Sequence, residues 1–90
     1  MLSLEEAKRA KNYFKAVLLD EMGVELIDTI GRFETKEETV KEIENYIEGI
    51  DGDTWVEIYE HRDNRKYAVY YYNFGKLELI YTYWDEEDAK

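Results

Sequence analysis

Residues 55–84 read WVEIYEHRDNRKYAVYYYNFGKLELIYTYW and hold ten of the fourteen aromatic residues in a chain of 90. Aromatic and β-branched side chains suit a pleated, half-buried surface, so this stretch predicts sheet. Polar breaks at His61-Arg62-Asp63-Asn64-Arg65 and Asn73-Phe74-Gly75 divide it into strands at 55–60, 66–72 and 76–84. Two consecutive hairpins of this kind form an antiparallel meander.

Upstream of the meander the signals are helical. Ser3-Leu4-Glu5-Glu6 has the spacing of a capping box, and Ala7, Ala10, Phe14, Val17 and Leu18 recur at helical intervals up to Gly23. The expectation is a first helix over 4–22. Thr35-Lys36-Glu37-Glu38 repeats the capping pattern before Val40, Ile43, Ile47 and Ile50, which predicts a second helix over 36–48. Between them, Val24, Leu26 and Ile30 fit a strand while Leu26, Ile27, Ile30 and Phe33 fit a helix. A strand near residues 24–31 is preferred because it widens the sheet to four strands. The expected fold class is thus α+β, in the order α-β-α-β-β-β, with both helices on one face of an antiparallel sheet. Residues 1–84 read as one domain, and 85–90 as an acidic C-terminal tail.

Composition narrows function. Twenty-two acidic against twelve basic residues leave a formal charge of -10, which repels nucleic-acid phosphates and anionic membrane surfaces. There is no cysteine, signal-peptide pattern or membrane-length apolar run, so a cytoplasmic protein without disulfides is expected.

Alternation along the three strands assigns Val56, Ile58, Tyr67, Val69, Tyr71, Leu77, Leu79, Tyr81 and Tyr83 to the helix-covered side. The opposite side then holds Trp55, Glu57, Tyr59, Ala68, Tyr70, Tyr72, Glu78, Ile80, Thr82 and Trp84. Trp55, Tyr59, Tyr70, Tyr72, Ile80 and Trp84 would make it aromatic enough for a partner or a second copy of the chain. The competing reading is that aromatic cross-strand pairs simply stabilise a small sheet.

The second candidate surface is helix two with its flanks. Glu34, Glu37, Glu38, Glu42, Glu44, Glu48, Asp51 and Asp53 have only Lys36 and Lys41 as basic companions. Glu34/Glu38, Glu38/Glu42 and Glu44/Glu48 are like-charge pairs four apart, each costing a few tenths of a kcal/mol in an isolated helix. Such a row suits a basic groove on a partner. It also suits a solvated helix face, since Glu is a good helix former.

Catalytic inventory is sparse. The chain has one Ser, better used as a helix cap, and one His, His61, expected as a solvated turn residue. Its glycines are single and scattered, with no phosphate-cradling motif, and Asp51-Gly52-Asp53 is followed by Trp55 where a calcium loop needs a further oxygen ligand. No cofactor, no metal and no catalytic residue is expected. A hydrolase using two carboxylates is the remote alternative.

In size, charge, the Glu-rich stretch 34–53 and the tail Asp85-Glu86-Glu87-Asp88, the chain resembles the small nucleic-acid-mimicking inhibitors of phages and mobile elements, anti-CRISPR proteins among them. The resemblance is one of character and carries no motif. It implies a non-enzymatic inhibitor whose carboxylates take the place of phosphates in a basic, nucleic-acid-binding site of a partner protein. The alternative is an immunity or antitoxin-type module, or a homodimer, that uses the aromatic sheet face.

Overall fold

The computed structural model describes residues 1–20, 22–48, 55–73 and 75–83. Asp51, Asp53, Trp84 and the 85–90 tail lie outside the described residues. Element order is α1 (Leu4–Ala10), β1 (Tyr13–Leu19), β2 (Leu26–Phe33), α2 (Lys36–Ile47), β3 (Trp55–Arg62), β4 (Arg65–Asn73) and β5 (Lys76–Thr82). The strands form one antiparallel sheet in the order β2-β1-β3-β4-β5. The α+β class and the C-terminal meander stand, but the sheet has five strands and the order is α-β-β-α-β-β-β.

The long first helix is the main correction. Ser3 does cap α1 in a full box, with Glu6 N donating to Ser3 Oγ at 3.1 Å and Ser3 N donating to Glu6 Oε1 at 3.0 Å. The helix then stops at Lys11, whose φ of 69° leaves the helical region. From Tyr13 the chain is an interior strand of the sheet, paired with β2 on one side and β3 on the other, and Ala16, Val17, Leu18 and Leu19 are all buried. A continuous apolar run serves a strand covered on both faces as well as a buried helix, so its spacing misleads. Gly23 belongs instead to the β1–β2 turn, at φ 71°, where Asp20 Oδ1 accepts the amides of Met22 and Val24.

Helix α2 covers one sheet face. Thr35 caps it by accepting Glu38 N at 3.1 Å, while the Glu38 carboxylate lies 3.9 Å from the N-terminal ammonium. Thr39 and Ile43 are its fully buried residues, Ile43 packed with Ala16, Leu18, Phe33, Val56, Ile58 and Tyr72, while Val40, Tyr46 and Ile47 close the edges. Burying a side chain such as Ile43 stabilises by roughly 1.5–3 kcal/mol, far more than a short helix gains from propensity.

The phase of β4 is the second correction. Asp63 and Asn64, at φ 55° and 62°, make the tight β3–β4 turn, and the register then shifts between Glu60/His61. Ile58 consequently faces Tyr70, and Val56 faces Tyr72. Tyr70 and Tyr72 therefore sit beneath α2, and Tyr72 is only 4% exposed. Neither belongs to the open aromatic face. β4 is apolar from Tyr67 to Tyr72, so its own alternation carries no phase information and cross-strand register decides. A further shift at Val69/Tyr70 puts Ile80 at an irregularity in β5 and pairs Tyr81 with Val69. Tyr71 and Tyr81 consequently lie on the open side, opposite to expectation.

Candidate functional site

Two surfaces of opposite character result. On α2 and the turn before it, Glu34, Glu37, Glu42, Glu44 and Glu48 are exposed and Glu38 is half-buried. Among the described residues no ion pair joins Glu34, Glu37, Glu42, Glu44 or Glu48 to a cation, and Glu37 and Lys41 form no pair despite their spacing. Glu44 accepts the Tyr72 hydroxyl, which burial first and this bond second push above its usual pKa. The last turn of α2 has no basic residue, so Glu44 and Glu48 stand at the negative end of the helix dipole.

Beneath α2, at the far end of the same sheet face, Glu60 is 7% exposed. Its carboxylate accepts the Tyr70 hydroxyl and Arg62 Nε, both at 2.7 Å. Lys36 Nζ lies 4.8 Å from the centre of the Tyr70 ring, and the Arg62 guanidinium lies 3.7 Å from that of Tyr67. A carboxylate this buried is tolerated because both partners hydrogen-bond to it. Tyr70 is thus a structural residue.

The open face of the sheet carries a groove of about 460 Å³, lined from β1, β2, β3 and β4 together with Leu4, Gly23 and Val24. Directly paired residues share a face, so the register orders its floor into rows roughly 6.6 Å apart. At one end Tyr13, His61 and Lys66 form a row, and Arg32, Lys15 and Tyr59 the next. Val17 and Glu57 follow, and then Leu26 and Leu19, with Tyr71 and Trp55 continuing these two rows beyond the groove. The groove is therefore cationic at one end and apolar at the other.

His61 is the residue that sequence reasoning misplaced. It is not a solvated turn residue: it lies in β3, and its ring stacks on Tyr13 at a centroid separation of 4.4 Å and 7° between planes. Its Nε2 is shielded from solvent and has no hydrogen-bond partner among the described residues. Burial holds its pKa below the usual value, and the charges of Lys66, Lys15 and Arg32 lower it further. Glu57, the groove's one carboxylate among the described residues, is pushed up by burial, against the Tyr71 hydroxyl and the Lys66 charge. The signal for His61 was present, since Trp55, Glu57, Tyr59 and His61 continue one alternation past the expected strand end. Nothing in the sequence joins Lys15, Arg32 and Lys66, which come from three different strands.

Of the residues expected on the aromatic face, Trp55 and Tyr59 lie on the open side, Tyr70 and Tyr72 lie under α2, and Ile80 is exposed on the β5 edge. Among the described residues no three His, Cys, Asp or Glu side chains gather as metal ligands, and no helix is long and apolar enough to cross a membrane. Comparison with protein-family models, curated proteins and solved structures found no match.

Proposed function

We propose that the chain acts by binding rather than by catalysis, presenting the carboxylates of α2 and its flanks to a basic, nucleic-acid-binding surface of a partner protein. The supporting observation is the row of exposed carboxylates left without ion-pair partners among the described residues, continued into the helix C-terminus where it opposes the dipole. Charges placed only for stability would alternate in sign along the helix and turn basic in its last turn. Glu38 and Glu42 are spaced by about 6 Å of helix rise, so one face offers anions in series. The test is capture of partners from a cell lysate on the immobilised chain, followed by elution with duplex DNA and, separately, with salt. Mimicry requires that DNA release the retained protein and that Glu38→Lys/Glu42→Lys lose it. Retention by the double variant, or indifference to DNA and salt, would sink this reading.

A second reading rests on β5. This edge strand is solvent-exposed at nearly every position, with Leu79 54% and Tyr81 48% exposed. An edge of this kind is a template for strand pairing with another chain, as in a homodimer or an immunity-type complex. Light scattering on the native chain and on Ile80→Lys decides it. A monomer in both would remove the dimer.

A further inference from the structure

We propose that the open sheet face is a binding site for a small amphipathic carboxylate of the medium-chain fatty acid type, its head group over Lys15, Arg32 and His61 and its chain over Val17, Leu19 and Leu26. The site is on the face away from α2, so it stands or falls separately from the acidic surface.

Charge complementarity identifies the head group. In a chain of net charge -10, Lys15, Arg32 and Lys66 line one groove with only Glu57 as a carboxylate among the described residues. Lys15 and Arg32 are direct cross-strand partners, and Lys66 lies in the adjoining row opposite the neutral His61. Like charges directly opposite each other oppose pairing, and an anion seated between them relieves the repulsion. His61 Nε2 has no partner among the described residues and is shielded, so a carboxylate seated over Lys15 and Arg32 reaches it only with a shift of the ring. Lys66 Nζ lies 4.8 Å from the centre of the Tyr59 ring, so one wall of the head-group site is already ordered.

The other end identifies the tail. Val24 is 76% and Leu26 61% exposed, and both line the groove beside buried Val17 and Leu19. Apolar side chains standing open along a concave strip give an alkyl chain a surface to cover. From Lys15 to Leu19 the strand runs about 13 Å, on the order of an extended ten-carbon chain. A volume near 460 Å³ falls within the usual range for small-ligand sites. Glu57 lies in the row below the cations and opposes the anion there, so its removal should strengthen binding.

Calorimetric titration of sodium decanoate, below its micelle concentration, into the full chain tests the site. Decanoate should bind at least about tenfold more tightly than hexanoate, since each buried methylene contributes up to about fourfold. Acetate and decanol, head and tail alone, should each be at least tenfold weaker than decanoate. Lys15→Gln/Arg32→Gln should cost tenfold or more, and Glu57→Gln should tighten binding. Leu26→Ser changes an exposed position without touching the core and should weaken decanoate several-fold. In the complex, the His61 imidazole resonances should titrate at higher pH than in the unbound chain, because Tyr13, Lys15, Arg32, Glu57, Tyr59 and Lys66 around it would then be joined by an anion. Equal affinity for decanol and decanoate, or unchanged affinity in both the double variant and Leu26→Ser, overturns the proposal. Binding to anionic vesicles without binding to monomeric decanoate overturns it as well.

Discussion

Replacing Tyr70 by Phe separates a surface tyrosine from a structural one. The hydroxyl donates at 2.7 Å to Glu60, whose other ligand is Arg62 Nε at 2.7 Å, and Glu60 is 7% exposed. A hydrogen bond to a charged group contributes about 1.5–3 kcal/mol. Arg62 remains to hold the carboxylate, and its side chain is half in solvent, so the lower end of that range applies. Burial first, and the Glu60 bond second, push the Tyr70 hydroxyl up to about 12 from 10.0. Because burial of the ionised form is the larger cause, the rise sets the alkaline decline of stability rather than the loss at neutral pH. The expected loss at neutral pH is therefore about 1.5 kcal/mol. For a domain of this size Tyr70→Phe should lower Tm by roughly 6–12 °C. The raised value favours the neutral phenol in the folded chain, so this stability is full below pH 10 and is lost as pH rises towards 12. Thermal melts at pH 8 and denaturant titrations from pH 9 to 11.5 provide the assay, and the variant should lose the alkaline decline that Tyr70 contributes. Glu60→Gln with Tyr70→Phe completes a double-mutant cycle with an expected coupling of about 1 kcal/mol. A Tm change under about 2 °C with an unaltered alkaline profile would refute the network and return Tyr70 to the surface.

Other perturbations probe other parts of the fold. Gly31→Ala places a Cβ 2.9 Å from Phe33 Cζ and against Met1 Sδ, and although the Met1 side chain can yield, the buried Phe33 ring has little room. A loss of about 1–3 kcal/mol is expected in chemical denaturation, and a neutral result would mean the Phe33 packing is loose. Glu48→Lys should stabilise α2 by about 0.3–1 kcal/mol, by removing the clash with Glu44 and a charge opposed to the dipole, while weakening partner capture. Improved stability with unchanged capture would exclude Glu48 from the interface. His61 and Glu57 should give opposing pH slopes. The lowered His61 pKa makes its contribution full above about pH 6.5 and lost as pH falls, whereas the raised Glu57 pKa makes its contribution full below about 4.5 and lost as pH rises. Denaturant titrations between pH 4.5 and 7 should therefore show stability falling with pH in His61→Gln and rising with pH in Glu57→Gln, and identical profiles in both would contradict the sign of each shift.

Local signals proved legible wherever a few adjacent residues decide the outcome. Ser3 and Thr35 cap helices because a hydroxyl reaches an amide three residues on, and Asp63-Asn64 turns because both residues adopt positive φ. The β3 alternation is readable because polar Glu57 separates Val56 from Ile58, and both of those face the core. The stretch from Tyr13 to Leu19 was not readable, since the apolar run from Ala16 to Leu19 satisfies a buried helix and an interior strand alike.

From the sequence alone came the α+β class, the capped second helix, the meander and the concentration of carboxylates on and around α2, since each depends on neighbours within one turn or one strand. Tertiary structure alone decided which tyrosines are core and which are open, because one register shift beside a two-residue turn sets the face of all of β4. It also decided that Lys15, Arg32, His61 and Lys66 share one groove. They come from four strands, and only cross-strand pairing, which has no local code, brings such distant side chains together.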